Sequence, residues 1–174
     1  MAEQQKRVFK RKPREEVNDG FEVKNVSLRR VSKTTKGGRK IGFASLTVAG
    51  NKQGKVGMGL SKALEVPTAI EKAGKAAKKA VVIVPIINGT IPHAVTGKFA
   101  KTEVKMLPSK PGSGLIAGGA ARTVLELAGY TDITAKIYGS TDKINVVRAT
   151  IEGLKQLRTR EQVAMLRGKS VEEI

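Results

Sequence analysis

The chain has 174 residues and no cysteine, and its 33 lysines and arginines outnumber 15 aspartates and glutamates to leave a formal charge of +18. This length suits one ordinary domain or two small ones and buries enough surface to fold without staples. Missing cysteine excludes disulfide scaffolds, thiolate zinc sites and cysteine nucleophiles. A composition near half apolar excludes wholesale disorder, and no apolar run approaches the ~20 residues of a membrane span. The basic N-terminus lacks the apolar stretch of a secretory signal, so a cytoplasmic protein is expected.

So large a positive excess repels itself in a compact chain and predicts a polyanionic partner, nucleic acid before an anionic membrane surface. With four phenylalanines, two tyrosines and no tryptophan, the chain is poorly equipped as a stacking platform for single strands. Folded or double-stranded RNA, bound through backbone and shape, fits better.

In chain order, residues 1–20 read as a basic, disordered tail. Phe21, Val23, Val26, Leu28 and Val31 fall near alternation and predict a strand. A basic loop, Ser32–Lys40, follows, and Ile41–Ala49 reads as a second strand. Gly50-Asn51-Lys52-Gln53-Gly54 is a hairpin turn, because Gly and Asn tolerate positive φ. Lys55–Leu60 is a third strand. Pro67 marks the start of a helix running to Ala80, with alanines on one face and Lys72, Lys75 and Lys79 on another. This first unit, 21–84, reads β-β-β-α.

In the second unit, 85–174, the apolar run Val81–Ile87 at the boundary predicts a buried strand, and Asn88-Gly89 a turn. Ile91–Val95 and Thr102–Leu107 look strand-like, and Pro108–Gly114 is a loop. Ala117–Leu127 reads as a helix closed at Gly129. Ile133–Tyr138 is a strand, and Ile144–Leu157 an amphipathic helix. Residues 161–167 add a last helical turn or two. Residues 1–80 hold 20 Lys and Arg against 7 Asp and Glu, whereas 81–174 hold 13 against 8. The first half therefore reads as the polyanion binder and the second as a packing or protein-contact module.

The segment Arg29–Lys40 concentrates the candidate RNA-binding residues. Arg29, Arg30, Lys33, Lys36, Arg39 and Lys40 bring charge without any acid. Ser32 and Thr34 bring hydroxyls that bond phosphate oxygens, and Gly37-Gly38 lets the backbone come close. Gly54-Lys55-Val56-Gly57-Met58-Gly59 has the wrong spacing for a dinucleotide fingerprint. Its glycines read as strand positions that admit a close backbone or ligand approach, with Lys52, Lys55 and Lys62 touching phosphates around them. The stretch Gly112–Ala121 leads into a helix as a phosphate loop does, but lacks the ending of a Walker loop. His93 is the only histidine. No carboxylate pair or nucleophilic triad stands out, so no catalysis, metal or cofactor is expected.

These motifs carry a resemblance. Arg30-Val31-Ser32-Lys33-Thr34, Lys36-Gly37-Gly38-Arg39, Gly54–Gly59 with Lys62-Ala63 and Glu65-Val66-Pro67, Gly114–Gly119, Tyr138-Gly139-Ser140, Asn145–Ile151 and Arg167–Ile174 resemble the bacterial small-subunit ribosomal protein S-five family over about residues 21–174. The resemblance implies an α/β (α+β) fold with two parts. The first is an N-terminal double-stranded-RNA-binding-like β-β-β-α domain, and the second a C-terminal left-handed β-α-β domain akin to small-molecule kinases. It implies a non-enzymatic constituent of the small subunit that binds ribosomal RNA, stabilises head against body and contributes to translational accuracy. Small-subunit proteins four and eight are implied as partners, with Gly114 and Arg122 toward protein four and the basic loop near the spectinomycin site. No membrane or small-molecule substrate is implied. The alternatives are a free-standing double-stranded-RNA-binding or nucleoid protein and, from the glycine loop alone, a small-molecule kinase.

Overall fold

The computed structural model describes residues 20–170 and Glu173. The tail expected over 1–20 lies, but for Gly20, outside the described residues. The first half comprises β1 (Glu22–Thr35), β2 (Gly38–Gly50), β3 (Lys55–Ala63), α1 (Val66–Lys79) and β4 (Val81–Ile83). Its strands form an antiparallel sheet in the order β1-β2-β3-β4. The second half comprises β5 (Val95–Phe99), β6 (Thr102–Pro108), β7 (Leu115–Ile116), α2 (Gly119–Ala128), β8 (Ile133–Gly139), α3 (Lys143–Lys155) and α4 (Arg160–Arg167). Its sheet runs β5-β6-β8-β7, with β7 parallel to β8, so β7-α2-β8 is a β-α-β unit. Among the described residues no helix is long and apolar enough to cross a membrane.

The strand glycines of β3 are there for a helix. A Cβ on Gly57 would stand 2.3 Å from the Ala77 carbonyl oxygen, and one on Gly59 2.0 Å from that of Ala73. Both oxygens belong to α1, whose buried face is Ala69, Ala73, Gly74 and Ala77. Small residues on both sides bring helix and sheet backbones close, and the dinucleotide-like spacing thereby finds its cause in packing. Gly97 of β5 repeats the device against α3, 2.0 Å from the Ala149 oxygen.

The opposite face of the first sheet meets the second half. Leu46, Val48 and Val56 join Val124, Leu125 and Leu127 of α2, Val104 and Met106 of β6, and Val147 and Leu154 of α3 in one buried cluster. The joint itself is backbone. In the β2–β3 turn the Lys52 N–H donates to the Leu127 carbonyl (2.9 Å) and the Gly54 N–H to that of Ala128 (2.8 Å). These are end carbonyls of α2, which have no partner within their own helix. The turn holds this shape because the Asn51 side-chain oxygen accepts the N–H groups of Gln53 and Lys55, and because Lys52 and Gly54 adopt positive φ. On the helix side Gly129 closes α2 with φ 105°, and the Tyr130 N–H returns to Leu125 (3.1 Å) in a Schellman arrangement. Burial pushes the Tyr130 hydroxyl pKa up, and that hydroxyl donates to the Pro85 carbonyl at 2.9 Å.

Three elements differ from the expectation. Val81–Ile87 is not one buried strand: only Val81–Ile83 pairs, as an edge, and Ile83 is 76% exposed. Pro85 has no N–H to continue a ladder, so the chain leaves the sheet there. Ile91–Val95 is likewise displaced. The strand begins at Val95, while Ile91 plugs the core from a loop beyond the Asn88-Gly89 turn. The third is Ser32–Lys40, which is a projecting β-ribbon rather than a loop.

The loop before β7 is anchored by Asp132. Its carboxylate accepts the Gly114 N–H (2.9 Å) and the Thr131 hydroxyl (2.8 Å). The Gly114 N–H first, then Thr131 and the Gly112 and Ser113 amides, hold its pKa below the usual carboxylate range.

Two stability experiments follow from these contacts. Gly129 and Gly112 both have positive φ, but a Cβ at Gly129 would meet the Lys52 oxygen at 2.2 Å while Gly112 has open space. Gly112→Ala is expected to cost about 1 kcal/mol of backbone strain, and Gly129→Ala roughly 2–3 kcal/mol more, since the joint must open. Denaturant unfolding of both variants measures the gap. Asp132→Asn is expected to lower the melting temperature at neutral pH. A carboxylate whose folded pKa is depressed stabilises above its unfolded value, about 3.9, and loses that contribution as pH falls through the folded value. Melting curves from pH 7 down to pH 2 should therefore show wild type and variant converging at the acid end.

Candidate nucleic-acid interface

The pairing of β2 with β3 ends at Phe43 opposite Ala63. Beyond it β1 and β2 pair only with each other, from Val31 opposite Gly42 to Thr35 opposite Gly38. This two-stranded arm extends roughly 15 Å past the sheet at 3.3 Å per residue, and Ser32–Ile41 are exposed throughout. Polar residues without alternation hide a strand from sequence reading. The pairing here continues the register of the sheet behind it and closes on the Lys36-Gly37 turn, where the Thr35 hydroxyl donates to the Gly38 carbonyl (3.0 Å). Gly38 has φ 131°, a conformation that glycine alone takes readily.

Opposed residues of an antiparallel pair share a face, and successive residues change face. Arg29, Lys33 and Lys40 therefore lie on one face of the arm, and Arg30, Ser32, Thr34 and Arg39 on the other. Lys33 stands directly opposite Lys40. Like charges so placed are destabilising, and a two-stranded ribbon is marginal on its own. No acid on the arm offsets them. Lys62 continues the first face: it pairs with Ala44, which pairs with Arg29, forming one row across the sheet.

Arg29 has another partner. Its guanidinium bonds the Asp142 carboxylate at 2.6 Å, and this contact holds the Asp142 carboxyl below the usual carboxylate range. Asp142 stands at the N-terminal boundary of α3, so the root of the arm is tied to the second half. Lys52 and Lys55 are not gathered with the arm. β2 is 13 residues long, which puts the β2–β3 turn roughly 40 Å from the tip. Lys52 pairs with Glu22 at 2.6 Å, and Glu22 and Glu126 flank Lys24 at 3.6 and 2.8 Å. The acids that engage Arg29 and Lys24 across the two halves lie far away in sequence, and no local signal announces them.

Gly114 sits in the second half, its N–H turned onto Asp132. With the Gly112 and Ser113 amides also engaged there, the glycine loop encloses a carboxylate of its own chain instead of offering a phosphate cradle. Arg122 lies on α2, exposed, while Ala121, Val124 and Leu125 face the core. Both lie in the second half, apart from the arm.

Comparison with known proteins identifies the family. Sequence models of the family match twice: "Ribosomal protein S5, N-terminal domain" over residues 21–85 and "Ribosomal protein S5, C-terminal domain" over 97–167. The small ribosomal subunit protein uS5 of Buchnera aphidicola subsp. Cinara cedri (strain Cc) is 54% identical over 148 residues, covering 85% of this chain and 90% of the relative. The protein of the same name from Ralstonia nicotianae (strain ATCC BAA-1114 / GMI1000) is 48% identical over 160 residues, covering 92% and 93%. With both halves matched and close relatives aligned over most of its length, the chain belongs to the uS5 family of small-subunit ribosomal proteins, which are structural constituents and not enzymes.

Proposed function

We propose that the β1–β2 arm is the principal contact with ribosomal RNA, and that through it the protein braces the head of the small subunit against the body and contributes to translational accuracy. The observation that carries this is the opposition of Lys33 and Lys40 on an exposed arm with no acid. Directly opposed like charges are unfavourable and a polyanion relieves them. Arg30, Ser32, Thr34 and Arg39 on the other face, with Lys36, Gly37 and Gly38 at the tip, let the arm enter a phosphate-lined cleft and contact both walls. Lys62 extends the same surface at the arm's root. Arg29 serves the joint with Asp142, and Lys52 and Lys55 form a separate contact at the far end of the sheet.

The division into an RNA-binding unit over 21–84 and a protein-contact unit over 85–174 belongs to this reading. Small-subunit proteins four and eight are its protein partners. The exposed Arg122 and the loop around Gly114 face protein four, and the arm lies near the spectinomycin site in a cytoplasmic ribosome. What supports this is the motif resemblance together with the separation of arm and α2. The family relationship sets aside a free-standing nucleoid protein.

Salt dependence tests the arm. Five cations free of Asp142, namely Arg30, Lys33, Lys36, Arg39 and Lys40, predict an arm contribution of roughly −3.5 to −4.5 to the log–log slope of the full chain on structured RNA. Replacing Lys33, Lys36, Arg39 and Lys40 with Gln should flatten it by roughly 3; an unchanged slope overturns the assignment. The tip gives a second test. Neither Gly37 nor Gly38 has an atom within 4 Å of a built Cβ, but only Gly38 has positive φ. Gly37→Ala should leave RNA affinity within about twofold, while Gly38→Val should reshape the tip and weaken binding about tenfold (~1.4 kcal/mol). The melting temperature should barely move in either variant, because the arm lies outside the core.

A further inference from the structure

Among the described residues, one face of the second sheet is left uncovered. Its strands alternate cleanly between buried and exposed residues, and α3 lies against the side that carries Gly97. The register places Lys105 directly opposite Lys136, and Glu103 directly opposite Tyr138, on the other side. Glu103 is engaged by Lys98 at 2.7 Å. Lys105 and Lys136 are both exposed, and directly opposed like charges are unfavourable until an anion lies over them. Tyr138 is 52% exposed, two residues from Lys136 along β8, so their Cα atoms stand ~7 Å apart and both side chains leave the same face.

We infer that this open sheet face binds single-stranded RNA, with one base stacked on Tyr138 and the adjoining phosphates held by Lys105 and Lys136. A nucleotide supplies both a π face for the ring and a negative charge for the neighbouring lysines. An acidic protein segment would answer the lysines and leave the ring without a matching partner. One tyrosine gives one stacking position, so the affinity is modest and tolerant of sequence. The inference rests on the reading of the protein as an RNA binder but uses a surface in the other half, remote from the arm.

The composition provides a direct readout. The chain has no tryptophan and two tyrosines, and Tyr130 is buried, so stacking on Tyr138 registers as quenching of tyrosine emission. The full chain is titrated with hexaadenylate and with an abasic ribose-phosphate chain of equal length. Hexaadenylate is expected to quench and the abasic chain not to. Followed by anisotropy of the labelled oligonucleotide, Tyr138→Ala should weaken hexaadenylate binding about tenfold and leave abasic binding unchanged. Tyr138→Phe should retain wild-type affinity. Lys105→Gln with Lys136→Gln should flatten the salt slope by about 1.4, the single-strand value for two phosphates. Emission unchanged by hexaadenylate, or equal affinity in Tyr138→Ala, overturns the inference and leaves the face to a protein partner. Failure of the arm reading is separate: it is read on structured RNA with the arm variants, in which this face is intact.

Discussion

The joint between the β2–β3 turn and the end of α2 is the contact on which the rest of the structure depends. Two N–H groups of a strand turn satisfy carbonyls at a helix end, so neither element can move without exposing buried polar groups of the other. Leaving one such group unpaired costs about 1–3 kcal/mol, and burying Val124, Leu125 and Leu127 beside it contributes about 1.5–3 kcal/mol each. The ion pairs around Glu22, Lys24, Lys52 and Glu126 are part-exposed, and water screens such pairs so that they contribute little. Backbone and core set the angle between the sheets, and the surface charges only decorate it.

That fixed angle gives the arm its meaning. A ribbon that leaves the sheet after Phe43 would sweep freely if its base were loose. Pairing to β3 behind it and the Arg29–Asp142 contact at its root give it one direction relative to the second half. Charge repulsion within the arm is thus carried on a paired, anchored base. The same logic, in weaker form, applies to Lys105 and Lys136 on the open face of the second sheet.

Several elements were legible from local rules. Pro67 marked the start of α1, Gly129 the end of α2, and Asn88-Gly89 and Asn51–Gly54 were turns, because positive φ and a missing N–H are properties of single residues. The amphipathic pattern over Ile144–Leu157 showed α3. The apolar run Val81–Ile87 misled, since burial by a loop and burial in a strand leave the same composition, and Pro85 decides between them only through the ladder it cannot join. The basic segment Ser32–Lys40 misled in the opposite sense: it has no hydrophobic period, and its strands exist because a paired sheet behind them propagates its register outward.

For the site the division is similar. Charge counts, the motif set and the lack of catalytic constellations were enough to identify the family, the kind of partner and the absence of an enzyme, because these rest on which residues are present and in what order. Where each cation stands was settled by tertiary structure alone. Arg29 meets an acid 113 residues away, Lys52 and Lys55 sit at the far end of the sheet, and Gly114 turns its amide onto Asp132. Charge is a property of a residue, but whether that charge is free for a phosphate depends on which distant acid the fold brings beside it.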